Sequence, residues 1–210
     1  MFTAGTKTSA GVMEATMAEL IRNPKVMDKV QAEVRRVLKG KKTIEETDIG
    51  ELSYLKQVIK ETLRLHPPLK LLLPRECRET CQVGGYTVPV GTRVAVNAWA
   101  LGRDPDYWDD AETFKPERFE AGGFDFRGTS FEYVPFGAGR RICPGATFGL
   151  ASVELVLAQL LFHFDWEISE KMKQGDLDNV ASFGGPFKKR RNLWLLAKAH
   201  LESATCPVPA

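Results

Sequence analysis

Cysteine is scarce in this chain. Its four cysteines, Cys77, Cys81, Cys143 and Cys206, are too few for a disulfide scaffold across 210 residues. The Cys77-x3-Cys81 spacing has no second ligand pair, which argues against a structural zinc site. The cysteines therefore read as reduced thiols, each to be judged by its surroundings. Long apolar runs are missing too. The best stretch, Leu155 to Phe164, is interrupted by Gln159 and His163 and falls short of a bilayer's thickness. No basic segment followed by an apolar one opens the sequence, so no secretory signal is expected. A net charge of +2, with basic residues spread along the chain, gives no nucleic-acid footprint. Neither an internal repeat nor an interdomain linker is visible.

What is present suits an ordinary globular protein: 43% hydrophobic and 27% charged residues. Apolar residues at Met13, Met17, Leu20 and Ile21 give helical spacing over Gly11 to Arg22. Asn23-Pro24 reads as an N-cap with a first-turn proline. The helix it starts carries Val26, Val30, Val34 and Val37 on one face and stops at Gly40. A charged loop is expected from Lys41 to Glu46. A third helix runs from Leu52 to Leu65, and His66-Pro67-Pro68 ends it. The period then shortens. Leu71-Leu72-Leu73, Gln82-Val83, Tyr86 to Val88 and Arg93 to Val96 read as strands, with Gly84-Gly85 and Pro89-Val90-Gly91 as turns. From Gly102 to Pro144 periodicity is lost, as in functional loops. An apolar helix is expected from Ala146 to Phe164, and a last strand over Leu193 to Leu196 before the tail frays after His200.

The segment Pro135 to Gly145 carries the chemistry. Cys143 sits just before the apolar helix, where unpaired N–H groups and the positive end of the helix dipole favour a thiolate. Arg140 and Arg141 add positive charge, and Gly137, Gly139 and Gly145 allow close approach of the backbone to a flat ligand. A thiolate held this way suits a haem iron as an electron-donating axial ligand. A dinucleotide loop would need glycine where Ile142 stands, and a nucleophilic cysteine would need a base nearer than His163.

Phe136, Gly139, Arg141, Cys143 and Gly145 spell Phe-x-x-Gly-x-Arg-x-Cys-x-Gly, which resembles the haem-binding loop of cytochrome P450 monooxygenases, plant members above all. The resemblance makes Phe136, Gly139, Arg141, Cys143 and Gly145 haem-contacting residues and Cys143 the iron ligand. Two more motifs agree. Glu61-Thr62-Leu63-Arg64 resembles the family's Glu-x-x-Arg helix, and Pro116-Glu117-Arg118-Phe119 its downstream arginine segment, so Glu61, Arg64 and Arg118 are expected to form a structural triad. Leu73-Pro74-Arg75-Glu76 resembles the strand that aims an arginine at a haem propionate, which nominates Arg75 beside Arg141.

Ala4-Gly5-Thr6-Lys7-Thr8-Ser9 resembles the family's oxygen-activation segment, with Thr8 as the catalytic threonine. The acid that precedes it in the family is here Lys7, and an ammonium cannot relay protons as a carboxylate does. Lys70 and Gly185-Pro186-Phe187 are further departures near the expected substrate pocket. Lys188-Lys189-Arg190-Arg191 reads as a solvated turn.

The fold expected is therefore mainly α with small β-sheets, the incomplete C-terminal portion of a cytochrome P450. Residues 1–200 would be a partial haem-thiolate domain and 201–210 a frayed tail. The resemblance implies insertion of one oxygen atom from O2 into a small organic substrate of the plant secondary-metabolite kind, with electrons from an NADPH-dependent reductase. The alternative is a truncated, inactive fragment or a non-catalytic interaction module. Full-length family members face the cytosol from the endoplasmic reticulum membrane. Without their anchor, this chain is expected in the cytosol.

Overall fold

The computed structural model describes residues 2–41, 44–126, 129–172, 177 and 192–200. Gly185-Pro186-Phe187, the basic run 188–191 and the tail 201–210 lie outside these residues. Four long helices carry the core: α1 (Phe2–Arg22), α2 (Pro24–Leu38), α4 (Ser53–Leu65) and α6 (Ala146–His163), with a short α3 (Glu46–Ile49) before α4 and a short α5 (Ala98–Leu101) before α6. α1 extends nine residues before the helical spacing begins at Gly11, and that first part is mostly exposed.

Asn23 occupies the N-cap position of α2, but its side chain faces backwards. Its Nδ2 donates to the Glu19 carbonyl at 2.8 Å, so it closes α1 instead of opening α2. The apolar faces meet in one cluster containing Leu20, Val30, Val34, Leu55, Val58, Leu157 and Leu161, all fully buried. Removing this much apolar surface from water is the main force behind the bundle.

α6 is nearly apolar all round. Its 18 residues, at mean hydropathy 1.5, have the length and composition of a membrane-spanning helix, which the interrupted run Leu155 to Phe164 did not suggest. In the structure one face of it packs against α1, α2 and α4, while Phe148 and Val156 remain exposed. It stops at His163, one residue early, because Phe164 turns extended (φ −134°, ψ 145°) and begins a strand.

The sheets are three antiparallel pairs. β1 (Arg75–Glu76) pairs with β4 (Arg93–Val94), β2 (Cys81–Val83) with β3 (Tyr86–Val88), and β5 (Phe164–Ile168) with β6 (Leu195–Ala199). A helical protein with small sheets, as expected, is the result. Three strand expectations need correcting, the first being Arg93 to Val96, which is a strand only over Arg93–Val94. Leu71-Leu72-Leu73 is a turn: Leu72 adopts φ +49°, its N–H bonds to the Leu69 carbonyl at 3.1 Å, and Leu71 and Leu73 point to solvent. The terminal strand begins at Leu195 instead of Leu193, in register with Ile168.

The stretch from Gly102 to Pro144 is held by an aromatic cluster. Trp108, Phe119, Phe124 and Tyr133 stack at centroid distances of 4.7–6.2 Å. Their polar ends are satisfied: Trp108 Nε1 donates to the Leu101 carbonyl and Tyr133 Oη to the Lys60 carbonyl. Within the segment, Pro116–Phe119 forms a 3-10 helix packed on α4, and the aromatic cluster fixes the rest.

Candidate functional site: the Cys143 loop and its brace

The loop from Phe136 to Cys143 closes on itself. Cys143 N–H donates to the Phe136 carbonyl at 2.9 Å, and Ile142 N–H to the Gly139 carbonyl at 3.0 Å across a 3-10 turn. Two corners make this possible. Gly137 (φ +74°) and Gly139 (φ +64°) adopt the left-handed backbone that costs other residues most. Phe136 anchors the loop by an edge-to-face contact with Phe126 at 5.8 Å. Gly145 then caps α6, two residues after the cysteine.

Cys143 is exposed, and its sulfur has no hydrogen-bond partner among the described residues. Arg140 and Arg141 are exposed on the same loop. A side chain added at Gly139 or Gly145 would meet nothing within 4 Å, so the backbone is bare on that side. A free sulfur, two flanking cations and bare backbone fit a large, flat, anionic ligand with a thiophilic centre. The donor chemistry is right for haem.

Two contacts bring the rest of the predicted site toward this loop. A Cβ on Gly137 would lie 3.9 Å from Leu72 Cδ1, which sets the loop against the turn leading into β1 and Arg75. Arg75 is half-buried on β1 opposite Val94, and its guanidinium has no partner among the described residues. A Cβ on Gly149 would lie 3.7 Å from Ser9 Oγ, so α1 crosses the first turns of α6 beside Thr8. Thr8 is half-buried and its hydroxyl donates to the Ala4 carbonyl at 2.6 Å, while Lys7 is exposed. No direct contact joins Thr8, Arg75 and Cys143.

Between α4 and the segment after Gly102 sits a buried ionic knot. Arg64 grips Glu61 with both prongs, Nε to Oε2 at 2.7 Å and Nη2 to Oε1 at 2.8 Å, and both side chains are fully buried. Arg118 adds Nε to Oε1 at 3.0 Å. The sequence did not show how the remaining donors are satisfied. Arg64 also donates to the carbonyls of Gly102, Ala111 and Thr113, and Arg118 to those of Asp109 and Asp110. The Lys115 N–H completes Glu61 at 2.8 Å. Both guanidinium groups lie over the Trp108 ring, at 5.2 and 5.9 Å. The knot thus ties α4 to the irregular segment that delivers the Cys143 loop.

Glu117, beside Arg118, turns the other way and accepts from Tyr54 Oη and Lys29 Nζ, each at 2.8 Å. Burial pushes its carboxyl up, but these two bonds, a backbone hydrogen bond and the Lys29 charge together hold it below the usual glutamate range. Pro-Glu-Arg-Phe reads as one motif in sequence, yet its acid and base serve different neighbours. Lys70 offers its carbonyl to the Trp99 N–H at 3.1 Å, so part of its role is backbone pairing.

The family model described as Cytochrome P450 matches residues 1–191. A cytochrome P450 of Panax ginseng is 58% identical over 203 residues, covering 97% of this chain and 44% of that protein. Premnaspirodiene oxygenase of Hyoscyamus muticus is 57% identical, covering 97% of this chain and 40% of its own length. Desmethyl-deoxy-podophyllotoxin synthase of Sinopodophyllum hexandrum is 56% identical over 93% of this chain and 39% of its own. The chain thus spans about two fifths of the length of these curated relatives. By family match and by identity over almost its whole length, the chain belongs to the cytochrome P450 family.

Proposed function

We propose that this chain carries the thiolate side of a haem-dependent monooxygenase that inserts one oxygen atom from O2 into a small organic substrate. Haem, when bound, supplies the redox-active iron at which dioxygen is reduced with electrons from an NADPH-dependent reductase. The observation that carries the reading is the exposed, unpartnered sulfur of Cys143 on a glycine-cornered loop at the start of α6. Cys143 would hold the metal through its sulfur. Phe136, Gly139 and Gly145 would give the ligand a surface without intervening side chains, and Arg141 and Arg75 would neutralise its carboxylates. Glu61, Arg64 and Arg118 hold the segment that positions the loop. The Thr8 hydroxyl holds a proton on α1, the helix that crosses α6. By the names of its relatives, an oxygenase and a synthase, the substrate is a small plant compound. For full-length members of the family the setting is the cytosolic face of the endoplasmic reticulum membrane.

A second reading has its own observation. Lys7 stands where the oxygen-activation segment carries an acid. On that reading the chain is a non-catalytic member of the lineage. Haem titration of the full chain, followed by reduction and exposure to CO, tests the first reading. A red-shifted, thiolate-type Soret band that disappears in Cys143→Ser supports it, and haem uptake indifferent to Cys143→Ser overturns it. Turnover with a reductase separates the two. Activity that rises in Lys7→Asp supports the enzyme, and none before or after supports the non-catalytic form.

A further inference from the structure

Cys77 and Cys81 play no part in the site above, yet their sulfurs lie 3.6 Å apart, in van der Waals contact. Both cysteines are held by the same returning stretch of chain. Cys77 is bonded on both sides of its peptide, N–H to the Thr92 carbonyl at 2.9 Å and carbonyl from the Gly91 N–H at 2.8 Å. Cys81 opens β2 as the register partner of Val88. The Cys77 thiol lies 2.9 Å from the Glu79 carbonyl, to which it can donate. Cys81 is exposed and Cys77 half-buried. No group of three metal-ligating side chains occurs among the described residues, so the pair lacks the further ligands of a structural metal site.

We propose that Cys77 and Cys81 are a reversible thiol modification site, converted by a hydroperoxide to an intramolecular disulfide. The exposed Cys81 sulfur attacks one peroxide oxygen, breaking the O–O bond and giving a sulfenic acid and one water. The Cys77 sulfur then attacks the Cys81 sulfur and expels the second oxygen as water. Two thiol protons and two electrons leave the protein, one peroxide is reduced, and one S–S bond forms. Forming the bond closes the sulfurs from 3.6 Å to about 2.05 Å. The product clips the end of β1 to the start of β2. These two strands belong to separate two-stranded sheets, with bends at Arg78 and Glu79 between them.

The test is built into the sequence, because trypsin cleaves after Arg78, between the two cysteines. The full chain is treated with hydrogen peroxide in native buffer and, in parallel, unfolded in urea. Remaining thiols are alkylated, and the chain is digested without reductant. The expected product is peptide 76–78 joined to peptide 79–93 and separated by dithiothreitol, formed at least ~10-fold faster in the folded chain because the fold holds the sulfurs together. Equal rates in buffer and urea would overturn the proposal. So would sulfinic or sulfonic acids on separate peptides, a link between two molecules on a non-reducing gel, or persistent free thiols at both positions.

Discussion

Glu61 and Arg118 stand 57 positions apart in the chain and meet at 3.0 Å, on the same carboxylate oxygen that accepts the Lys115 N–H. The carboxylate is fully buried, so its charge is tolerable only because the two guanidinium groups are there.

Glu61→Gln should therefore destabilise the chain by about 3–5 kcal/mol, since it strands two cations around a neutral amide. Arg64→Lys should cost nearly as much. One ammonium cannot span both Glu61 oxygens and also reach the carbonyls of Gly102, Ala111 and Thr113. Urea unfolding followed by circular dichroism measures both. A midpoint within error of wild type for either variant would refute this account of the knot.

Two glycine-to-alanine substitutions should have opposite signs. At Gly102 a Cβ would sit 2.4 Å from the Arg64 carbonyl oxygen, a backbone atom that cannot swing away. Gly102→Ala should cost about 1–3 kcal/mol. At Gly5, inside α1, a Cβ would meet nothing within 4 Å, and Gly5→Ala should stabilise the helix by up to ~1 kcal/mol. Thermal melts of the two variants side by side check the pair.

Glu154, half-buried on α6, gives a pH dependence. Burial pushes its carboxyl up, and Lys56 opposes this only in part. The folded value thus lies above the unfolded one, so the protonated form favours folding. Stability from this residue is present below the unfolded value and is lost as pH rises through the folded one. Glu154→Gln should raise Tm by ~2 °C at pH 7, with the gain gone by pH 4. A gain of equal size at both pH values would show that charge is not the cause.

The long helices were legible because their apolar residues recur at helical spacing and because Pro24, Gly40 and Pro67 punctuate them. β5 was not read, although Phe164, Trp166 and Ile168 alternate with Asp165 and Glu167 as a half-buried strand should. The apolar pattern of α6 runs into it without a break, and the longer element claimed the residue at the join. Leu71-Leu72-Leu73 failed for the opposite reason: composition suggested a strand, but backbone hand decides, and Leu72 lies on the left-handed side. In the site, side chains with charge were legible and their backbone partners were not. Glu61, Arg64 and Arg118 could be named from motifs. The carbonyls of Gly102, Ala111 and Thr113 carry no sequence signal, because every residue has one.

The junction at His163 and Phe164 has no loop: α6 ends and β5 begins on adjacent residues. At the other end, α6 starts from Gly145, two residues after Cys143. The helix is thus a rigid shaft of about 27 Å, keyed directly to a sheet at one end and to the sulfur at the other. With no slack at its far end, a shift in the β5–β6 register would move the helix as a unit, and with it the end of the loop that bears Cys143.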